Sequence, residues 1–280
     1  MPRLVQIVHG YPPRHSAGTE RYAALVCAGL AARGYAVDVI TSARSPGHAQ
    51  GAVLDSRLPQ SEGGGRRWEL VNNLPWRPLG QAEQDPLIEA QVHRLLELAQ
   101  PDVVHVQHLL FLSSKLRFPA PALATLHDAW SFCPRGGTLL LEGKTPCPGP
   151  DPSRCPGCYG SFCQGTAREH ALGAVGARVA AVGKIQPERL TKLWRRLPAS
   201  LRALAVAGEA PPLATAEELA AWRAAVGDAY RRVKVRVAPS SYLAERATIA
   251  LGAPVSTLPH GLPRQLLPPN RGRRDGPLVF

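Results

Sequence analysis

The sequence lacks the features that would place a protein in a membrane or outside the cell. No stretch approaches about eighteen uninterrupted apolar residues, so no transmembrane helix is predicted. The first apolar run, residues 3–9, is short, and no small-residue cleavage site follows it, which indicates a strand rather than a signal peptide. We therefore expect a cytoplasmic protein, either free or at the inner face of the membrane.

Acidic residues are scarce relative to basic ones. The chain has 33 Lys and Arg against 21 Asp and Glu, a formal net charge of +12. This surplus favours acidic partners such as phosphate groups, anionic lipid surfaces or nucleic acid. A compositional bias is the alternative, since arginine supplies most of the charge and is accompanied by abundant Ala, Pro and Gly. With 45% hydrophobic and 19% charged residues, the composition is that of a globular protein.

The order of apolar runs predicts an α/β fold. A strand at 3–9, a helix that ends near Gly34 and a strand at 35–41 form a parallel β-α-β unit. Residues 42–86 are interpreted as surface excursions with one candidate strand at 66–73. The remaining predicted elements are helices at 85–100, 164–182, 187–197, 215–232 and 242–251, and strands at 102–107, 120–126, 233–239 and 254–258. We expect a Rossmann-like parallel sheet flanked by helices, with a cysteine-rich loop insertion.

The loop after the first strand contains small residues at the start of a helix. In a parallel α/β sheet this loop lies at the carboxyl edge, where ligands bind. Ala17, Gly18 and Thr19 would let backbone N–H groups approach a phosphate at the helix N-terminus. No G-x-G-x-x-G pattern is present, and an ordinary N-cap turn remains the alternative.

Histidines follow two of the later strands. His127, next to Asp128, ends the apolar run at 121–126 and is the strongest candidate for a ligand contact. His108 lies just past the strand at 102–107 and is a weaker candidate at the same edge. His105, inside that strand, is interpreted as a satisfied core histidine.

Five of the six cysteines follow His127, and four of them are the main candidates for metal ligands. Cys155 and Cys158 have a C-x-x-C spacing, and Cys133 and Cys147 supply two more thiolates, so a structural tetrahedral Zn²⁺ is predicted. Reduced cysteines without metal are the alternative, and the ligand count also permits an iron–sulfur cluster. Cys163 is a possible substitute ligand. Cys27, within the first helix, is interpreted as a small core residue.

Two further segments carry predictions about partners. Basic residues alternate with apolar ones at 184–197, which predicts either peripheral contact with an anionic membrane or a solvated helix face. Residues 277–280 read as the start of a strand with nothing after it, so we expect this chain to be one domain of a longer architecture.

Five motifs in order resemble the N-terminal domain of GT-B glycosyltransferases of retaining family four. They are YPPRHSAGTERYAALVCAGLAARGYAVDVIT at 11–41, PDVVHVQH at 101–108, LATLHDAWSFCPRG at 123–136, VAPSSYLAERATIALG at 237–252 and VSTLPHGL at 255–262. The resemblance implies two Rossmann-like halves around a cleft. It places Ala17, Gly18 and Thr19 at the donor phosphates, although many members have Gly-Gly where this chain has Ala-Gly. It places His127 against the transferred sugar and His260-Gly261 before the hinge.

The implied function is transfer of a sugar, of hexosyltransferase type, from a nucleotide-sugar donor to a carbohydrate or lipid-linked acceptor in cell-envelope or polysaccharide assembly. The implied domains are an acceptor-side domain at 1–262, containing the cysteine-rich insertion at 129–165 and a helical segment at 166–232, and then a linker at 263–280 into a missing C-terminal donor domain. The chain alone is therefore expected to be weakly active or inactive. The alternative is a zinc-bearing basic module that binds nucleic acid, which lacks a groove-reading helix after its C-x-x-C pair.

Overall fold

The protein is built on a mostly parallel sheet with helices on both faces. A computed structural model describes residues 1–45, 47–73, 85–142, 144–160, 196–201 and 214–261. The strands are β1 (Arg3–Val8), β2 (Ala36–Ala43), β3 (Val53–Arg57), β4 (Arg66–Val71), β5 (Val103–Val106), β6 (Ala122–Thr125), β7 (Leu140–Leu141), β8 (Thr145–Pro146), β9 (Val235–Ala238) and β10 (Ser256–Thr257). The helices are α1 (Gly18–Ala31), α2 (Pro86–Ala99), α3 (Cys155–Gly160), α4 (Ala216–Arg231) and α5 (Ser241–Leu251).

The main sheet places β1 at its centre. Its order is β10-β9-β6-β5-β1-β2-β4-β3, and every neighbouring pair is parallel except β3 with β4. The chain leaving β1 continues to β2 on one side, whereas the chain leaving β5 continues to β6 on the other. The loops after β1 and β5 therefore diverge, and a crevice opens at the carboxyl ends of the two strands. The predicted Rossmann-like parallel sheet is confirmed.

Both faces of β1 are buried, which explains why its residues other than Arg3 and Gln6 are apolar. Leu4 and Val8 pack with Ala23 and Cys27 of α1 on one face. Alternate residues of β1 join the larger cluster on the other face, which contains Val92 of α2 and residues of α4 and α5. The fully buried Cys27 is thus a core residue.

The helix ends are set by local side-chain chemistry. The Asp85 carboxylate accepts hydrogen bonds from the N–H groups of Leu87 and Ile88, and Pro86 occupies the first turn of α2. Thr215 and Glu218 form a capping box on α4. The Ser240 hydroxyl caps α5 by accepting from the N–H of Leu243 at 3.2 Å. These caps satisfy N–H groups that the first turn of each helix leaves without an intrahelical partner.

Several elements differ from the sequence-based expectation: β7, β8 and α3 lie in the segment expected to be a cysteine-rich loop, and the main sheet has one additional strand. Residues 42–86 were expected to be surface excursions with one strand at 66–73, and β4 occupies that position, but β3 forms a second, antiparallel strand beside it. The half-exposed residues of β3 gave no apolar run because the strand lies at the sheet edge.

Several predictions fall outside the described residues. They concern the helices at 164–182 and 187–197, most of the basic segment at 184–197, Cys163 and the linker at 263–280. Of these positions, only residues 196 and 197 are described. No helix in the described ranges is long and apolar enough to cross a membrane.

Candidate functional site

The crevice at the carboxyl ends of the strands is a cleft of about 450 Å³. Residues that follow β1, β5, β6, β9 and β10 line it together with the start of α1. They are His9, Ala17, Gly18, Thr19, Glu20, His108, Leu110, His127, Asp128, Trp130, Gly136, Pro239 and His260. Residues from distant parts of the sequence therefore meet at one place in the fold.

The N-terminus of α1 opens directly into this cleft. Ala17 is the N-cap and makes no side-chain cap hydrogen bond, because a methyl group cannot accept one. The amide groups and partial positive charge of the first helical turn are thus available to an anion. A Cβ added at Gly18 would meet no atom within 4 Å, which shows open space in front of the turn. The predicted residues Ala17, Gly18 and Thr19 all line the cleft.

His127 follows β6 and is held on both ring nitrogens. Its Nε2 lies 2.7 Å from Oε1 of Gln107, and its Nδ1 lies 3.1 Å from Nε2 of His260. Burial, followed by the neighbouring His260 and His108, lowers its pKa from 6.5 to about 3, although Asp128 opposes the shift. The ring is therefore neutral at physiological pH and is oriented as a hydrogen-bonding group.

A second group of polar residues lines the same cleft. Nε2 of His9 lies 3.2 Å from Oε1 of Glu20, and Nε2 of His108 lies 3.7 Å from Oδ1 of Asp128. Burial and the neighbouring His108 lower the pKa of His9 to about 3. Burial alone would raise the pKa of Asp128, but hydrogen bonding and charge from His108 and the N–H of Trp130 hold it below its usual value. Asp128 is consequently ionised over the physiological range.

Among the described residues no lysine or arginine lines the cleft. The positive potential available to an anion here comes from the α1 N-terminus rather than from a cationic side chain. The neutral rings of His9 and His127 supply donors and acceptors for hydroxyl groups, and two carboxylates complete the lining. The arrangement suits a ligand that combines an anionic group with a polyhydroxylated part.

The other predicted histidines are placed as follows. His105 is buried in β5, and its Nε2 lies 2.9 Å from Oγ1 of Thr125, so it is a satisfied core residue. His108 lines the cleft. His260 contacts His127 and packs on Tyr22 of α1 with ring centroids 3.8 Å apart.

Sequence reasoning missed several residues of this site. His9, Glu20 and Tyr22 carry no pattern of their own, and only the end of β1 and the first turn of α1 could have pointed to them. Gln107 could have been noticed, because it is a polar residue at the end of an otherwise apolar strand and proves to be completely buried. Gln6, in the middle of β1, gives the same signal.

The four clustered cysteines also come together in the fold. Cys133, Cys147, Cys155 and Cys158 line one small cavity of about 30 Å³. No group of three or more His, Cys, Asp or Glu side chains in the described part of the chain is arranged to hold a metal ion. Burial raises the pKa of the Cys133 thiol, although the backbone N–H groups of Leu139 and Arg135 oppose the shift. The zinc prediction is therefore not confirmed by the geometry.

Comparison with known proteins gives one family match. Residues 16–145, less than half of the chain, match the family model described as Glycosyltransferase Family 4. This segment contains the α1 N-terminus, Gln107, His127 and the first part of the cysteine-rich loop. No curated protein matches the sequence.

A solved structure of sucrose-phosphate synthase from Thermosynechococcus elongatus is also similar, at 13% identity over 92% of this chain and 81% of that one, with a TM-score of 0.29. A TM-score at that level does not establish a shared fold. The family match confirms the resemblance to family four glycosyltransferases over residues 16–145.

Proposed function

We propose that this chain is the acceptor-side half of a GT-B glycosyltransferase, which transfers a sugar from a nucleotide-sugar donor to a carbohydrate or lipid-linked acceptor. The observation that carries the proposal is the cleft itself. The uncapped N-terminus of α1 and the neutral ring of His127 face one cavity, where the strand order of the sheet reverses. Both groups belong to the segment that matches the glycosyltransferase family.

The chemistry of glycosyl transfer fits these groups. The sugar develops positive charge while the nucleoside diphosphate leaves as an anion, so oriented donors near the phosphates stabilise the transition state. In the proposed complex the first turn of α1, at Ala17, Gly18 and Thr19, faces the donor phosphates. His127 hydrogen-bonds a hydroxyl of the transferred sugar, and Asp128 remains ionised beside the site of developing positive charge.

The proposal assigns the remaining contacts to a second domain. The described lining of the cleft has no cationic side chain to hold the leaving diphosphate. We therefore expect weak nucleotide-sugar binding by this chain and transfer only when a C-terminal donor domain closes over the cleft. Cell-envelope or polysaccharide assembly in the cytoplasm, with the acceptor at the membrane surface, is the setting that suits a basic protein and a lipid-linked substrate.

A charge reversal at the helix N-terminus tests the phosphate role. Gly18→Asp adds a carboxylate where a Cβ meets open space, so the fold should tolerate it while the phosphate is repelled. We expect nucleotide-sugar affinity, measured by ligand-observed NMR and calorimetry, to fall by about tenfold or more.

Gly18→Asn is the matched control, since it has the same size without the charge and should bind within about threefold of the wild type. If both variants bind equally, or if the wild-type chain binds no nucleotide sugar, the phosphate-binding site is not at the N-terminus of α1.

Neither the family match nor the cleft favours the nucleic-acid alternative.

We also retain a structural zinc ion as a proposal for the cysteine-rich loop. Its support is that the four cysteines line a single cavity. Two of the sulfurs already accept backbone N–H groups, from Glu142 to Cys158 at 3.3 Å and from Asp151 to Cys155 at 3.2 Å. Such a metal would hold a loop that has little apolar material of its own.

A further inference from the structure

A chain of buried amide side chains connects His127 to the core of the protein. Oε1 of Gln107 lies 2.7 Å from Nε2 of His127, and Nε2 of Gln107 lies 2.7 Å from Oε1 of Gln6. Nε2 of Gln6 lies 3.1 Å from the carbonyl oxygen of Ala23 in α1. Both glutamines are completely buried, so no water can substitute for a missing partner.

The direction of every hydrogen bond in this chain is fixed at its buried end. The Ala23 carbonyl can only accept, so the amide nitrogen of Gln6 must face it and the amide oxygen must face Gln107. Gln107 must then donate to Gln6, which turns its own oxygen towards His127. His105 is compatible with this direction, because its Nδ1 lies 3.3 Å from the same Gln107 nitrogen and can accept from it when Nε2 carries the ring proton. Reversing these hydrogen-bond directions would place the amide oxygen of Gln6 against the carbonyl oxygen of Ala23 in the core.

The direction of the chain determines the tautomer of His127. Since Gln107 presents an oxygen, His127 carries its proton on Nε2, and Nδ1 has a lone pair that accepts. In this structure the donor to Nδ1 is Nε2 of His260, 3.1 Å away. His260 packs on Tyr22, and its own Nδ1 is a buried atom with no hydrogen-bond partner. The only described group that satisfies the His127 lone pair is thus itself incompletely bonded.

We propose that Gln107 is a positioning residue that holds His127 as the Nε2–H tautomer, so that Nδ1 accepts a hydrogen bond from a hydroxyl group of the transferred sugar. His260 occupies the place of that hydroxyl in this structure and yields it on binding. This inference rests on the proposed function, which supplies the sugar. The Ala23 carbonyl in the core thereby determines which nitrogen of His127 donates a hydrogen bond and which one accepts.

The tautomer itself is measurable without any substrate. Long-range ¹H–¹⁵N spectra of the full chain should show His127 with a protonated Nε2 and an unprotonated Nδ1. Gln107→Leu removes the oxygen and should give a mixture of the two tautomers. Burial favours the neutral carboxylic acid, so in Gln107→Glu the O–H can donate to Gln6 while the other oxygen accepts from Nε2 of His127, and the variant should retain the wild-type tautomer.

Gln50→Leu is the matched control, because Gln50 donates to Asn72 and Asp85 in a separate hydrogen-bond network. It should leave the His127 signals unchanged. A wild-type His127 protonated on Nδ1, or an unaltered spectrum in Gln107→Leu, would overturn the positioning role.

The sugar contact is tested by comparing two ligands on each variant. The affinity ratio between a UDP-hexose or GDP-hexose and the matching nucleoside diphosphate reports the sugar alone. We expect Gln107→Leu to lower this ratio by about 3- to 10-fold, the loss of one hydrogen bond, with little change for the nucleoside diphosphate. Gln107→Glu should keep the affinity ratio of the wild type. A changed tautomer with an unchanged ratio would refute the sugar contact, whereas failure of wild type to bind any nucleotide sugar would refute the proposed function and leave the tautomer result standing.

Discussion

Buried histidines are the residues whose charge state most affects this fold. Burial lowers the pKa of His105 from 6.5 to about 4, and it lowers that of His127 and His9 further. Because the unfolded chain binds a proton near pH 6.5 that the folded chain does not, stability is complete above pH 6.5 and falls as the pH drops towards 4. The fold should therefore be sensitive to mild acid.

His105→Gln tests the predicted acid sensitivity at a position outside the cleft. The glutamine nitrogen can replace Nε2 in the bond to Thr125 without titrating. Urea unfolding at pH 7 and pH 4 should show that the variant loses less stability than the wild type, by an amount on the order of 3 kcal/mol.

His93→Gln on α2 is the control, since His93 is half-buried and accepts a hydrogen bond from the N–H of Arg117. Equal pH dependence in wild type and His105→Gln would show that His105 does not contribute to acid sensitivity.

At the scale of elements, the approach of β4 to β2 depends on a glycine. A Cβ at Gly65, just before β4, would lie 1.9 Å from the carbonyl oxygen of Val37. Gly65→Ala must therefore displace one strand from the other, and we expect a loss of about 2–4 kcal/mol in the free energy of unfolding.

Gly29→Ala is the matched change within α1, where the nearest atom to a new Cβ is a flexible arginine nitrogen at 3.6 Å. Alanine in a helix interior should stabilise by about 0.5–1 kcal/mol. Denaturant unfolding measures both effects, and a neutral Gly65→Ala would contradict the close strand approach.

The cysteine-rich loop is a second element with a direct test. If the proposed metal is present, elemental analysis of protein purified without chelator should find about one zinc per chain. Cys155→Ser combined with Cys158→Ser should abolish it, whereas Cys27→Ser should not, because Cys27 lies on the core-facing side of α1, away from the cysteine-rich loop. Protein that contains no zinc and melts at the same temperature with and without chelator would leave these cysteines as ordinary reduced side chains.

At the scale of the whole molecule, the sequence was sufficient to predict the central strands of the sheet, but it did not predict the contacts between side chains in the site. Apolar runs such as the one at β1 located the central strands, because both faces of these strands are buried. β3 was missed because an edge strand has no such run. The sites at Gly18 and His127 could be placed at one edge of the sheet from the rule for parallel strands, and both line the cleft. The Gln6–Gln107 hydrogen bond joins residues 101 positions apart, and it depends on β1 lying beside β5, which no local pattern reveals.

The two ends of the sheet have consequences for solubility. β3, on one edge, exposes Asp55 and Arg57, and β10, on the other, has two residues. Charged side chains and very short strands at an edge both discourage pairing with a strand from another molecule. Within the described residues, therefore, the eight-stranded sheet gives a neighbouring molecule little opportunity to extend it, and concentrated solutions should resist edge-to-edge aggregation.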